Sequence, residues 1–260
     1  MGAIALLTDF GTKDGYAGVL HGVILRINPA AVIVDVCHDI PAQDVRAAAF
    51  VLSTVYRYFA EDTIHLVVVD PGVGSERRAI VVRTGSGTFV SPDNGVLSYV
   101  FAREPVLAMV QLTEARYWRS PLSDTFHGRD LFAPVAAHLS LGVELAELGS
   151  DLSDAVRFPI PEVRVTREGN LSGEVLHVDR FGNLITNVPA ECLPVGQLLR
   201  LQIAGREVLG PQRAYAHAQD GELLVLVGSS GYLEVAVRNG NAATVLGTGC
   251  GAEVLVIPCS

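Results

Sequence analysis

Leu66-Val67-Val68-Val69-Asp70-Pro71-Gly72-Val73-Gly74-Ser75-Glu76-Arg77-Arg78 is the stretch on which the reading of this chain turns. Its apolar, mostly β-branched opening reads as a strand buried on both faces, and the run stops on a carboxylate followed by a Pro/Gly turn. Open α/β sheets place their ligand-binding groups at the carboxyl ends of such strands. Pro71 restricts φ while Gly72 and Gly74 free it, so the loop is able to carry Arg77 back toward Asp70. Taken alone, the segment is also explained as a tight turn closed by a surface ion pair. Asp70 and Arg77 become half of a candidate active site only in company with the loops described next.

The chain before this stretch repeats one unit. A strand over 3–8 ends in Thr8-Asp9-Phe10-Gly11-Thr12-Lys13-Asp14-Gly15, and Tyr16, Val19, Leu20, Val23, Ile24 and Ile27 follow at helical spacing. A second strand over 31–36 ends at Cys37-His38-Asp39, and a helix over about 43–57 carries Val45, Ala48, Ala49, Leu52 and Val55 on one face. Asp14 is placed to cap the first helix; Asp9 sits directly on a strand end, where a ligand is met. Beyond Asp70, residues 80–83 and 88–91 read as a hairpin, Pro92-Asp93-Asn94-Gly95 as a turn into a short helix, and 106–112 as a strand. Asp124-Thr125-Phe126-His127-Gly128-Arg129-Asp130 then leads into a helix over 131–139, with His127 at the junction and His138 on the packed face.

Arg157-Phe158-Pro159-Ile160-Pro161 reads as a linker. After it come short β-type runs near 162–167, 172–178, 184–188, 198–203, 222–227, 232–237 and 253–257. The expected architecture is an α/β N-terminal domain over 1–158, with a mostly parallel sheet flanked by helices, and a smaller antiparallel β-sheet or barrel domain over 162–260. Two loops of this second domain are unusually polar, Asp179-Arg180-Phe181-Gly182-Asn183 and Gly228-Ser229-Ser230-Gly231-Tyr232-Leu233-Glu234.

Composition excludes several functions. The net charge is −9 over 260 residues and no Lys/Arg cluster occurs, which argues against nucleic acid as a partner. Lys13 is the single lysine, so a Walker-type phosphate loop lacks its central residue. Cys37, Cys192, Cys250 and Cys259 show no zinc or redox spacing, and Cys37 continues an apolar run. No apolar stretch reaches membrane-spanning length and no basic leader precedes the first strand, so the expectation is a soluble cytoplasmic protein.

Taken together, Thr8-Asp9-Phe10-Gly11-Thr12, Asp35-Val36-Cys37-His38, Asp70-Pro71-Gly72-Val73-Gly74 with Arg77, Pro92-Asp93-Asn94-Gly95, Thr125-Phe126-His127-Gly128-Arg129-Asp130, Asp179-Arg180-Phe181-Gly182-Asn183 and Ser229-Ser230-Gly231-Tyr232-Leu233-Glu234 run in order over nearly the whole chain. In this series the chain resembles the S-adenosyl-L-methionine (SAM) hydroxide adenosyltransferase family, the SAM hydrolases related to fluorinase and chlorinase. The resemblance implies attack of water or hydroxide on C5′ of SAM, giving adenosine and L-methionine, with SAM as substrate and no cofactor or metal. It implies a homotrimer in which the N-terminal domain of one subunit and the C-terminal domain of its neighbour share each site. By the same resemblance Asp70, Arg77 and His127 prepare the water, Asp9 holds the ribose hydroxyls, and Phe181 and Asn183 hold the adenine. Asp14, Asp179 and Ser229 then meet the methionine end, with Ser230 and Glu234 nearby. The chain departs from the halogenases at Val237-Arg238-Asn239-Gly240, and Gln43 stands where fluorinase has a tryptophan.

The chemistry suits these residue types. A sulfonium leaves as a neutral thioether without protonation, so the difficulty lies in making water nucleophilic and holding it in line with the C5′–S bond. Histidine, a carboxylate and a guanidinium are able to do both, and which of them takes the proton stays open. The bare charge of Asp70 would oppose a halide, which favours hydrolysis over halogenation. Two other readings stand beside this one: a SAM- or adenosine-binding protein without turnover, and a metal-dependent hydrolase ligated by Asp9, Asp14, Asp70 and His127. The second lacks any paired histidine spacing among the seven histidines.

Overall fold

The structure is a computed structural model that describes residues 2–194 and 196–259. The chain divides into two compact units, Met1–Pro159 and Ile160–Ser260.

The first unit is built on β1 (Ile4–Thr8), β2 (Ile33–Cys37), β3 (Ile64–Val68), β4 (Ala79–Thr84), β5 (Gly87–Pro92), β6 (Val106–Leu112) and β7 (Gly149–Asp151), with α1 (Tyr16–Ile27), α2 (Val45–Val55), α3 (Ser98–Arg103) and α4 (Ala133–Ser140) around them. The strands form one mixed sheet in the order β2-β1-β3-β5-β4-β6-β7. The four strands from β2 to β5 run parallel to their neighbours, and β4, β6 and β7 complete the sheet antiparallel. Side chains alternate across the pleat. Ile4, Leu6, Leu66 and Val68 face one core with Leu20, Val23 and Ile24 of α1 and with α4. Leu7, Val67 and Val69 face another with Ala47, Ala48 and Leu52 of α2 and with α3. Helices therefore cover both faces, as a sheet of near-continuous apolar strands requires.

This arrangement fixes the place of a site. The connection through α1 carries the chain from β1 outward to β2 on one face, and the connection through α2 returns it to β3 on the other face, so the order reverses between β1 and β3. Thr8 is paired with Val68 across these two strands, so Asp9 and Asp70 emerge at the same carboxyl edge, beside the reversal.

The second unit comprises β8 (Arg164–Val165), β9 (Leu171–Val178), β10 (Leu184–Pro189), β11 (Leu199–Ile203), β12 (Arg206–Gly210), β13 (Leu223–Val227), β14 (Tyr232–Val237) and β15 (Glu253–Pro258), with the short helix α5 (Ala242–Leu246). They pair antiparallel in the order β12-β11-β15-β9-β10-β14-β13, with β8 added on β9. The Gln212 N–H donates to the Val225 carbonyl at 2.6 Å, which brings the two ends of the sheet together into a nearly closed barrel. Val175, Leu184, Val188, Leu201, Val225, Leu233, Val235, Val254 and Val256 fill its interior.

The elements differ from the sequence expectation where local signals were thin. The run at 162–167 shrinks to two paired residues, because Thr166 opens a turn in which its N–H donates to the Asn170 carbonyl at 2.8 Å. Strand β12 was not anticipated, since only Val208 and Gly210 of its five residues turn inward. Cys37 is half-buried against the α2-side core. His138, expected to pack, lies edge-on to Tyr117 with ring centroids 5.1 Å apart. Among the described residues, no helix is long and apolar enough to cross a membrane.

Candidate active site

Arg77 is the hinge of the first cluster. Its Nε donates to both carboxylate oxygens of Asp70 at 2.8 and 3.0 Å, and its Nη2 donates to Asp70 Oδ2 at 2.5 Å. The same Nη2 lies 2.6 Å from His127 Nδ1. Both members of the ion pair are well covered, with side-chain exposures of 10% and 6%, and the Phe132 ring lies 5.1 Å from the guanidinium carbon. A guanidinium has donors only, so Nδ1 of His127 must be an acceptor, and the neutral ring carries its proton on Nε2. Burial lowers the His127 pKa below the usual imidazole value, and the charge of Arg77 lowers it further. The cluster thus presents a neutral imidazole with an N–H to offer, held by a cation that is itself held by a carboxylate.

The loops that carry these residues are locked from several sides. Asn94 Nδ2 donates to the Val69 carbonyl at 2.9 Å, immediately before Asp70, so the Pro92-Asp93-Asn94-Gly95 turn supports the site although the sequence suggested only turn chemistry for it. Asp93 is a structural anchor: it accepts from Arg78 Nε at 2.8 Å and from the Val156 N–H at 2.7 Å. Gly74 adopts φ 77°, and a Cβ there would overlap the Asp124 carbonyl, so the Asp70 loop and the His127 loop touch at a point where only glycine fits. Buried Asp130 accepts from Arg129 Nε at 2.7 Å and from the Ser123 N–H at 3.0 Å, tying down the segment that presents His127. Directly after His127 the backbone makes a wide π-type turn over Gly128–Phe132 before α4 begins, a device that sequence periodicity does not reveal.

Asp9 stands at the same edge. Its Oδ2 accepts the Gln43 N–H at 2.8 Å, and Gln43 adopts a left-handed φ of 67° to make that bond. Phe10, Tyr16 and Phe126 pack together with centroids 5.3 to 5.8 Å apart, Phe126 edge-on to the other two, and join the Asp9 loop and the start of α1 to the His127 loop. Asp14 is exposed and does not cap α1: the N-cap is Gly15, with no side-chain cap bond.

The second cluster lies in the barrel unit. Asp179 Oδ1 accepts the N–H groups of Phe181 and Asn183, each at 2.9 Å, and Oδ2 accepts Asn183 Nδ2 at 2.9 Å. Asp179 therefore shapes this loop and turns the Asn183 amide so that its oxygen stays free of that bond. Phe181 projects with 74% of its surface exposed, a large apolar ring without cover in the single chain. Gly182, at φ 84°, sits against the Asn241 side chain. Ser229 is exposed and Ser230 half-buried in a turn closed by the Gly231 N–H on the Gly228 carbonyl at 3.0 Å. Glu234 is 5% exposed and accepts from the Tyr215 hydroxyl at 2.6 Å. Burial raises its pKa, and the charge of Asp179 adds to the effect.

The sequence-selected residues thus gather in two groups, Asp9, Asp14, Asp70, Arg77 and His127 in the first unit, and Asp179, Phe181, Asn183, Ser229, Ser230 and Glu234 in the second. Tyr215 is a supporting residue that the sequence did not suggest, and the supporting bonds of Gln43 and Asn94 emerge only in the fold. The first group is suited to holding and polarising a water molecule, the second to an aromatic ring with polar edges.

Two family models match the chain. The family model described as the SAM hydroxide adenosyltransferase N-terminal domain matches residues 4–149, and that of the C-terminal domain matches residues 173–255. The (R)-S-adenosyl-L-methionine hydrolase of Salinispora tropica is 42% identical over 257 residues, covering 97% of each chain. That of Thermus thermophilus is 37% identical over 267 residues, covering 99% of this chain and 100% of its own. The crystal structure of an uncharacterized conserved protein from Thermotoga maritima superposes with a TM-score of 0.92 at 38% identity, covering 98% of this chain and 99% of that one.

Proposed function

The chain belongs to the SAM hydroxide adenosyltransferase family, and from that premise we propose that it hydrolyses S-adenosyl-L-methionine to adenosine and L-methionine. The observation that carries the reading is Arg77, bonded at once to Asp70 and His127 beside the point where the sheet order reverses.

In the reaction an oxygen–C5′ bond forms as the C5′–S bond breaks, the bonding pair passes to sulfur, and the proton that water gives up passes to bulk solvent. The donor-rich cluster supports a particular division of labour. His127, with its proton on Nε2 and Nδ1 engaged by a cation, is a hydrogen-bond donor and a poor base. The Arg77 charge and the Nε2–H favour a hydroxide-like oxygen over neutral water, as a preorganised donor set stabilises developing negative charge. Asp70, accepting three N–H bonds from Arg77, keeps the guanidinium in place. Alignment with the C5′–S bond supplies much of the remaining acceleration. Asp9 is the hydroxyl-binding carboxylate, Phe181 and Asn183 the adenine contacts, and Asp14, Asp179, Ser229, Ser230 and Glu234 the environment of the methionine end.

Assembly as a homotrimer with sites shared between neighbouring subunits belongs to the same proposal. It is supported by the uncovered ring of Phe181. A cytoplasmic location belongs to the same proposal and is supported by the free thiols of Cys37, Cys192 and Cys259. Incubating purified protein with SAM and separating the products tests the activity: adenosine and methionine in equal amounts support it, and SAM recovered intact favours a binding protein without turnover.

A further inference from the structure

We propose that His21, Asp35 and His38 form a binding site for a first-row divalent cation of the zinc class, apart from the Asp70 cluster. His21 Nε2 lies 2.7 Å from Asp35 Oδ1, and His38 Nε2 lies 2.9 Å from the same oxygen. The three ligand atoms fall within 4.8 Å of one another. Two imidazoles and a carboxylate are the donor set of open zinc sites, whose ligands sit at about 2.0–2.2 Å and therefore stand about 3.3 Å apart in a tetrahedron. To admit an ion each imidazole nitrogen draws back from Asp35 Oδ1, from 2.7 and 2.9 Å, while the two nitrogens, within 4.8 Å of each other, close together.

The state of His38 points to a ligand. The residue is 8% exposed, and its buried Nε2 has no hydrogen-bond partner besides its ion-pair contact with Asp35 Oδ1. An orphaned buried donor or acceptor is costly. The opposite ring nitrogen, Nδ1, is 2.8 Å from the buried hydroxyl of Thr8. With the proton on Nδ1 and given to Thr8, the Nε2 lone pair faces a carboxylate, an arrangement that a cation relieves, and the Thr8 bond is the outer contact that orients a metal-binding imidazole. His21 and Asp35 keep side-chain exposures of 32% and 47%, which leaves the outer positions to water. A cation here ties α1 to the end of β2. It also stiffens the loop after β1, because the His38 carbonyl accepts the Gly11 N–H at 2.7 Å.

The full-length protein, stripped with a chelator and dialysed, is titrated with Zn²⁺ by calorimetry and with Co²⁺ by visible absorption, alongside His21→Ala and Asp35→Asn. His21 is partly exposed and outside the core, so its replacement leaves the fold intact. Binding of one cation per chain with a dissociation constant of about 10 µM or tighter, weakened by about tenfold or more in both variants, is the expected result. Absence of binding at Zn²⁺ concentrations well above that value, or binding unchanged in the variants, overturns the proposal. Adenosine formation is followed in the same samples. The Asp70 chemistry is not routed through this ion, so a lack of turnover everywhere would fault the hydrolase reading and leave the cation site standing.

Discussion

Breaking the Asp70–Arg77 pair is the perturbation with the clearest magnitude. Both side chains are nine-tenths covered and joined by three N–H···O contacts. Water is therefore in no position to replace a lost partner. In Arg77→Met the Asp70 carboxylate stays behind without its cation, and in Asp70→Asn the guanidinium stays behind without its anion. Each costs about 3–5 kcal/mol, the range for breaking a buried pair. Removing both leaves no unpaired charge, so the double variant is less destabilised than the sum of the singles by about 2–3 kcal/mol. Urea denaturation followed by fluorescence reads this cycle within the first unit, because Trp118 is the single tryptophan of the chain and lies in that unit. Additive singles, or singles costing less than about 1 kcal/mol, would show that solvent screens the pair as it does at a surface. The cluster would then lose its claim to hold His127 by electrostatic force.

Three further outcomes are expected. The pKa of His65, 1% exposed and stacked on Phe89, is pushed down to about 4 by burial. The unfolded chain takes up this proton below pH 6.5 while the folded one resists until about 4, so stability present above pH 6.5 drops by up to about 3 kcal/mol as the pH falls through that window; His65→Leu should flatten the acid side of the stability profile measured by denaturation. The rate of adenosine formation should keep rising with pH above neutrality if donors assemble a hydroxide, whereas a His127 general base, titrating below 6.5, would give a plateau there. Gly182→Ala forces a side chain onto φ 84° and into Asn241, which caps α5 through the Thr244 N–H at 2.7 Å; denaturation should show a loss of about 2 kcal/mol or more, accompanied by weaker SAM binding.

The parallel half of the sheet was legible because each strand stops on a polar residue and each helix keeps its apolar spacing, and the Asp70, Asp9 and His127 loops were legible as strand-end or helix-start loops. What escaped depended on contacts between distant segments. The tautomer of His127 follows from a guanidinium fifty positions away, which no spacing rule reports. The same guanidinium offsets the charge of Asp70, so the repulsion of a halide expected from a bare carboxylate is largely cancelled. Asp14 carried a good capping signal, yet the helix starts on Gly15. His21, Asp35 and His38 come from a helix and a strand end, so a search for paired histidine motifs passes over them.

In the proposed reaction water, oriented by Asp70, Arg77 and His127, displaces methionine at C5′. This displacement is tested most directly by running the reaction in H₂¹⁸O and weighing the adenosine by mass spectrometry, with His127→Ala and Arg77→Met alongside. One ¹⁸O atom is expected in the 5′-hydroxyl of adenosine, with little product from either variant. Adenosine without the heavy oxygen, or labelled product formed undiminished by both variants, would contradict this mechanism.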